Sequence, residues 1–139
     1  NIIGVKDSSN DLARPLLTTK SIGKNFCQIS GEDATVVPFL SQGGHGCISV
    51  TANIAPKLCS EFQKFSKSNS DNEFKEAQRL DQMLQPLHKT LFIESNPSPV
   101  KYAAKLLGLC GDEVRLPLVR ITTNSQEEVK KALSSAQLI

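Results

Sequence analysis

The sequence predicts an α/β fold built on parallel strands, and three observations support this fold class. Three short apolar runs, at 2–6, 26–30 and 47–50, lack the polar alternation of a strand with one solvated face. A helix-like stretch follows each of the first two runs, and each connection is long enough for the crossover that parallel neighbours need. The strand–helix unit recurs at a spacing of roughly twenty residues, which is typical of α/β proteins with right-handed crossovers.

Apolar spacing and turn residues set the expected helices of this first part. The first helix has apolar residues at helical spacing, namely Leu12, Ala13, Leu16 and Leu17. Asn10 or Asp11 is its expected N-cap, and Pro15 falls in or near the tolerated first turn. A short helix is expected over 34–40, with Asp33 placed to cap it.

After residue 50 the chain reads as helical. The expected helices cover about residues 58–65, 74–92, 100–107 and 129–136. Ser70–Glu73 and Ser125–Glu128 match capping boxes, and Pro86 should kink or interrupt the long helix. The predicted domains are the C-terminal part of a barrel over 1–68 and a helical region over 69–139.

Composition argues against several classes of protein. The chain has 139 residues, enough for one ordinary domain, and its 16 basic residues are spread among 14 acidic ones. Without a basic block, no nucleic-acid partner is expected. No apolar run approaches ~20 residues, so no membrane-spanning segment is expected. The sequence opens inside an apparent strand and without methionine, so we expect a piece of a longer chain.

The cysteines favour a reducing compartment. None of the four forms a C-x-x-C pair, and the two histidines complete no finger-like pattern, so no metal site is predicted. Cys27 and Cys47 lie in apolar strand-like runs, as buried free thiols often do. We therefore expect the protein to be cytoplasmic.

Three positions lie at the carboxyl ends of the predicted strands, where parallel α/β proteins gather their ligand sites. They are Lys6, the turn at 31–33 and residues 48–51. A lysine that projects from a sheet with its stem in apolar surroundings could lose its charge and act as an amine nucleophile. The alternative is an ordinary solvated lysine at the end of a strand.

Other polar or glycine-rich positions have simpler structural explanations. Glu32 and Asp33 look like a carboxylate pair, but a helix cap beside a solvated glutamate is the favoured interpretation. The glycines within 43–46 would admit a ligand close to the backbone, but a helix stop followed by a tight turn into the strand is the favoured explanation. His45 precedes its strand, at the opposite end from Lys6, and is expected to be structural.

Four stretches carry a resemblance to a known family. They are Gly-Val-Lys-Asp-Ser-Ser at 4–9, Ser-Gly-Glu-Asp at 30–33, Gly-Gly-His-Gly-Cys-Ile-Ser-Val-Thr-Ala-Asn at 43–53 and Asn-Pro-Ser-Pro-Val-Lys at 96–101. In this order they closely resemble the C-terminal half of the bacterial dihydrodipicolinate synthase (4-hydroxy-tetrahydrodipicolinate synthase) family. The resemblance implies the C-terminal half of a TIM (β/α)8 barrel, with its last three strands, followed by a C-terminal helical region.

The resemblance also implies the roles of four residues. Lys6 matches the lysine that forms a Schiff base with pyruvate, and the resulting enamine attacks the aldehyde of L-aspartate-β-semialdehyde. Ile48 matches the residue whose backbone carbonyl lies beside the bound pyruvate. Gly31 and Asn96 match positions that line the pocket for the second substrate. The family requires no cofactor and no metal.

Much of the family's active site has no counterpart in this chain. The threonine that binds the pyruvate carboxylate, the proton-shuttling tyrosines and the substrate-binding arginine belong to the family's N-terminal half. That half is therefore an expected partner, and the family usually forms homotetramers. Two alternatives stay open: another pyruvate-dependent aldolase, such as N-acetylneuraminate lyase or a 2-keto-3-deoxy sugar acid aldolase, and a non-catalytic half-barrel that serves as a binding module.

Overall fold

The computed structural model describes residues 1–68 and 70–139. The chain divides into two compact units, Asn1–Ser49 and Val50–Ile139. The first unit contains a three-stranded sheet, and the second is helical. The predicted domain boundary, with a barrel part over 1–68 and a helical region over 69–139, marks the end of a barrel rather than the edge of a compact unit. It stays a prediction.

The sheet of the first unit is parallel, as the sequence predicts. Its strands are β1 (Gly4–Asp7), β2 (Cys27–Ser30) and β3 (Gly46–Cys47). They lie in the order β1-β2-β3, and both neighbouring pairs are parallel. Lys6 lies opposite Ile29, which lies opposite Gly46. The third strand ends earlier than the predicted run over 47–50, because Val50 already has helical backbone angles.

Helix α1 (Arg14–Ile22) joins β1 to β2. Pro15 lies in its first turn, where a missing backbone N–H costs nothing. The N-cap is Ala13, so the prediction of Asn10 or Asp11 at that position is wrong. The Asp11 carboxylate instead accepts a hydrogen bond from the Ala13 backbone N–H at 3.0 Å, just outside the helix.

Helix α2 (Val36–Ser41) joins β2 to β3 and begins later than predicted. Its N-cap is Thr35, so the expected cap by Asp33 is wrong; Asp33 is instead buried. The Thr35 hydroxyl donates a hydrogen bond to the Asn10 side chain at 2.9 Å. After the helix, Gly43 has φ +94°, a left-handed conformation that favours glycine, as expected for a helix stop.

The buried Gln28 side chain connects β2 to α1 through hydrogen bonds. Its side chain is 3% exposed, and its amide nitrogen donates to the Pro15 carbonyl at 3.0 Å and to Thr19 Oγ1 at 2.9 Å. Its backbone N–H donates to His45 Nδ1 at 3.0 Å, and the His45 N–H donates to the Gln28 carbonyl at 2.8 Å. The His45 ring thus extends the pairing of β2, which fits the structural role predicted for it.

The second unit is built from one 3-10 helix and four α-helices within the described residues. These are the 3-10 helix Thr51–Asn53, α3 (Pro56–Phe65), α4 (Asp71–Thr90), α5 (Ser98–Leu106) and α6 (Thr123–Ser135). The apolar stripe of each long helix faces the core. The best-buried core side chains are Leu80, Leu84, Leu87, Leu91, Val129 and Leu133.

Helix α4 continues through Pro86, so the predicted interruption is wrong, whereas the alternative, a kink at Pro86, stays a prediction. A proline inside a helix removes one backbone hydrogen bond and costs about 3 kcal/mol or more. Leu84 and Leu87, on either side of it, are completely buried. Burial of such side chains contributes roughly 1.5–3 kcal/mol each, so the apolar face offsets the proline.

The helix caps of this unit differ from the predicted capping boxes. Ser70 is the N-cap of α4, but its side chain makes no capping hydrogen bond, and Glu73 accepts one from Ser68 instead. The N-cap of α6 is Thr122, whose hydroxyl accepts from the Ser125 N–H at 3.4 Å. The capping box predicted at 125–128 is therefore placed three residues too late.

Helix α5 begins at Ser98, within the stretch of prolines expected to be an extended connector.

Among residues 1–68 and 70–139, no helix combines the length and the apolar character that crossing a membrane would require.

Replacement of Gln28 by leucine should destabilise the first unit. Gln28→Leu keeps the approximate volume but leaves the buried Pro15 carbonyl and the part-buried Thr19 hydroxyl without this donor, so we expect the free energy of unfolding to fall by about 1–3 kcal/mol. Urea unfolding measures this change. Gln42→Leu is the matched control, because Gln42 is exposed. An equal effect of both substitutions would show that the Gln28 hydrogen bonds contribute nothing.

Candidate active site

Lys6 projects from the face of the sheet that α1 does not cover. Side chains alternate between the two faces of a strand, so Lys6 and Asp7 point to opposite sides. Asp7 points towards α1, where its carboxylate pairs with the Arg14 guanidinium at 2.6 Å. Lys6 is exposed on the other face, near the carboxyl end of β1. The structure thus places the predicted nucleophile at the predicted end of the sheet.

Gly31 lies directly against the Lys6 side chain. A Cβ atom at Gly31 would lie 2.7 Å from Lys6 Cε and 1.9 Å from Ser8 Oγ, closer than real Cβ atoms approach other atoms. The Gly31 N–H donates to the Asp7 carbonyl at 2.8 Å, which holds the glycine backbone in this place. The missing side chain therefore leaves the space through which the lysine stem passes.

Ile48 continues the strand edge on which Gly31 lies. Its N–H donates to the Ser30 carbonyl at 2.8 Å, directly after the paired residues Ser30 and Cys47. If the same register continued by one residue, Ile48 would lie opposite Gly31. The Ile48 side chain is 56% exposed. The first unit therefore brings three of the four predicted site residues, Lys6, Gly31 and Ile48, to the carboxyl ends of adjacent strands.

Asn96, the fourth predicted residue, belongs to the second unit and is exposed between α4 and α5. It lines a cavity of about 370 Å³ together with Asn53 and Lys101, among others. Most of the other residues that line it are apolar, and the Asn53 side-chain amide donates a hydrogen bond to the Val50 carbonyl at 3.0 Å. The assignment of Asn96 to a substrate pocket stays a prediction.

Glu94 fixes the segment that carries Asn96, and the sequence pattern did not single it out. Its carboxylate accepts hydrogen bonds from the Thr122 N–H and the Thr122 hydroxyl, both at 2.9 Å. Hydrogen bonds from Ser125 and from Thr122 lower the pKa of Glu94. Thr122 could have indicated this contact from the sequence. A helix N-cap has a backbone N–H without a partner inside the helix, and a carboxylate is favoured at a helix start.

The described residues, 1–68 and 70–139, contain no group of three histidine, cysteine, aspartate or glutamate side chains that could hold a metal ion.

These features define a class of protein: a parallel α/β fold with a lysine at the carboxyl end of a strand and a glycine beside it. Residues 1–136 match the Dihydrodipicolinate synthetase family, and the chain belongs to that family. The chain spans about half the length of the curated relatives it matches.

Two curated relatives illustrate the match. The chain is 58% identical over 139 residues to the protein of Pelagibacter ubique named 4-hydroxy-tetrahydrodipicolinate synthase, and it covers 47% of that protein. It is 50% identical over 139 residues to the protein of the same name from Parvibaculum lavamentivorans, again covering 47%. All of this chain takes part in both matches.

Solved structures confirm the fold. The Acinetobacter baumannii dihydrodipicolinate synthase, described as chloride inhibited and complexed with pyruvate, is 36% identical with a TM-score of 0.90. The match covers 100% of this chain and 47% of that one. The Aquifex aeolicus enzyme is 33% identical with a TM-score of 0.91, covering 99% and 46%. The predicted fold class, the C-terminal half of a TIM barrel with a helical region, is thus confirmed.

The Asp7 carboxylate gives the first unit a defined response to acid. Hydrogen bonds from the Ser9 hydroxyl and N–H, and from Arg14, lower the pKa of Asp7 from 3.8 to about 2. Its ionised form is therefore favoured by folding. The stability it contributes is complete above pH 3.8 and is lost as the pH falls towards 2.

Asp7→Asn should remove this acid-sensitive stability. We expect the variant to be less stable than the parent by about 1–2 kcal/mol at neutral pH, because charged hydrogen bonds are lost. The difference should shrink between pH 4 and pH 2, as the parent carboxylate becomes protonated. Urea unfolding at a series of pH values measures it, and a difference that does not change with pH would contradict the account.

Alanine substitutions at Gly4 and Gly31 should differ in their effect on the free energy of unfolding. A Cβ at Gly4 would meet the Cys27 carbonyl oxygen at 2.5 Å, so Gly4→Ala should lower the free energy of unfolding by about 1–3 kcal/mol. A Cβ at Gly31 meets chiefly the mobile ends of Lys6 and Ser8. Gly31→Ala should therefore change stability by less than about 0.5 kcal/mol, yet shift the NMR signal of the Lys6 Cε group. Equal destabilisation by both would contradict this assignment.

Proposed function

We propose that this chain is the C-terminal half of a Schiff-base lyase. The enzyme condenses pyruvate with L-aspartate-β-semialdehyde to 4-hydroxy-tetrahydrodipicolinate in lysine (diaminopimelate) biosynthesis. Family membership over residues 1–136 supports this activity. The observation that carries it is the position of Lys6 at the carboxyl end of β1, with the Gly31 backbone leaving room for its stem.

The proposed chemistry begins at the Lys6 amine. The neutral amine attacks the carbonyl carbon of pyruvate, and loss of water leaves an iminium. The positive nitrogen withdraws electrons, so the pyruvate methyl group loses a proton and becomes an enamine carbon. That carbon attacks the aldehyde of the second substrate. Covalent catalysis of this kind divides one difficult step into several easier ones.

The remaining site residues would hold the substrates. In this proposal the Ile48 backbone carbonyl lies beside the bound pyruvate, level with Gly31 at the strand ends. Gly31 of the first unit and Asn96 of the second are each assigned to the binding of the aldehyde substrate. The cavity beside Asn96 presents the polar side chains of Asn53 and Lys101 within a mostly apolar lining.

The proposal requires the N-terminal half of the enzyme as a partner. This chain covers 47% of its Pelagibacter ubique relative, and its own residues supply no second phenol for proton transfer besides Tyr102, which is buried in α5. Ile2 and Ile3 are each 80% exposed in the first unit, and adjacent exposed apolar side chains form a surface that another part of the enzyme can cover. We further propose a cytoplasmic homotetramer without a nucleic-acid partner.

A chimera in which this chain replaces the matching part of the Pelagibacter ubique protein tests the activity. We expect turnover of pyruvate with L-aspartate-β-semialdehyde, and we expect Lys6→Arg to lower it by about 10³-fold or more, because guanidinium cannot form the imine. Lys20→Arg is the matched control, since Lys20 is an exposed lysine of α1.

The same assay separates the alternatives. Preferred turnover of N-acetylmannosamine or of another sugar aldehyde would assign the chain to a different pyruvate aldolase. A soluble, folded chimera without turnover of any aldehyde would favour a binding module.

A further inference from the structure

Ser8 is a polar residue beside Lys6. It lies within the Gly-Val-Lys-Asp-Ser-Ser stretch at 4–9, but the resemblance implies no role for it and the proposed mechanism does not use it. It lies two residues after Lys6, directly after the end of β1 at Asp7. Lys6 Cε lies 2.7 Å, and Ser8 Oγ 1.9 Å, from the point that a Cβ of Gly31 would occupy. The ends of both side chains therefore share the space above the glycine.

The Ser8 hydroxyl is not used by the turn that follows β1. Within the described part of the chain, Ser8 Oγ makes no hydrogen bond, whereas its neighbour Ser9 accepts one from the Asp11 N–H at 3.3 Å. Ser30, at the end of β2, likewise uses its hydroxyl locally, in two 3.0 Å hydrogen bonds with the Glu32 backbone. Ser8 thus differs from these turn serines, because its hydroxyl is available towards Lys6.

We propose that the Ser8 hydroxyl is a positioning group for the Lys6 amine during Schiff-base formation, an inference that rests on the function proposed above. A serine oxygen has two lone pairs and can accept a hydrogen bond from an amine N–H. The amine nitrogen then keeps its own lone pair directed away from Ser8, towards the bound carbonyl. The glycine at position 31 lets both groups occupy the same space.

Ser8 acts during the formation of the bond between Lys6 and pyruvate. The lysine nitrogen forms a bond to carbon 2 of pyruvate, and the carbonyl electron pair passes to the oxygen. That oxygen takes one proton from the amine and one from solvent and leaves as water, so the iminium keeps one hydrogen on nitrogen. Ser8 exchanges no bond in this step. Its effect is on geometry, because a lysine has a flexible four-carbon stem, and holding a reacting group in an aligned position raises its rate.

The test measures iminium formation in the chimera by rapid mixing with pyruvate and quenching with borohydride. Ser8→Ala should lower the maximal rate of adduct formation by roughly tenfold and leave the half-saturating pyruvate concentration unchanged, because alignment rather than binding is lost. Ser8→Thr keeps a hydroxyl and should restore the rate to within about threefold of the parent. Ser9→Ala, a change in the same turn, should leave the rate unaltered.

Each outcome decides the proposal. It is overturned if Ser8→Ala forms the adduct at the parental rate, if Ser8→Thr is no faster than Ser8→Ala, or if Ser9→Ala slows the reaction equally. A change confined to the half-saturating concentration would also overturn it, since that result assigns Ser8 to pyruvate binding. Absence of an adduct in the parent chimera would overturn the proposed function together with this inference, which distinguishes the two failures.

Discussion

The close approach of the Gly31 backbone to the Lys6 side chain is the constraint on which the candidate site depends. Parallel pairing of β1 with β2 sets Lys6 opposite Ile29, and two residues further the chain must pass beside the lysine stem. Any side chain at position 31 would meet Lys6 Cε and Ser8 Oγ. Glycine at this point therefore lets the strand end and the reactive amine occupy neighbouring space.

Side chains alternate along each strand, so one face of the sheet contacts α1 and the other face carries Lys6. On one face, Gln28 and Asp7 contact α1 through hydrogen bonds to Pro15, Thr19 and Arg14. These contacts fix the rotation of the strands about their axes. With that rotation fixed, the intervening residues, Lys6 among them, must point to the other face. Polar contacts far from the amine thus decide where the amine lies.

Much of the first unit could be predicted from the sequence, because the signals are local. Short apolar runs without alternation predict buried parallel strands, and three parallel strands form close to the predicted positions. Their predicted burial is wrong for this chain, because only Gln28 and Ser30 among the strand residues are buried. The lysine at a strand end could be located from the same pattern. Its covalent role could not, since an exposed lysine and a catalytic one look identical in composition; only the family resemblance predicted it.

The errors have a common physical origin in contacts that a linear pattern does not contain. Asp33 was expected to cap α2, but its side chain is buried, and Thr35 takes the cap position. Pro86 is predicted to kink or interrupt α4, but the helix continues through it, and the burial of Leu84 and Leu87 offsets its cost. Ser8 and Glu94 were not singled out, because their partners lie 23 or more residues away along the chain: Gly31 for Ser8 and Thr122 for Glu94.

The central claim is that Lys6 carries the covalent intermediate once the N-terminal half is present. Peptide mass mapping of the chimera after treatment with pyruvate and borohydride tests it most directly. The account predicts one modified peptide, which contains Lys6 and carries the added mass of a reduced pyruvate. An adduct on another lysine, with the Lys6 peptide unmodified, would contradict it.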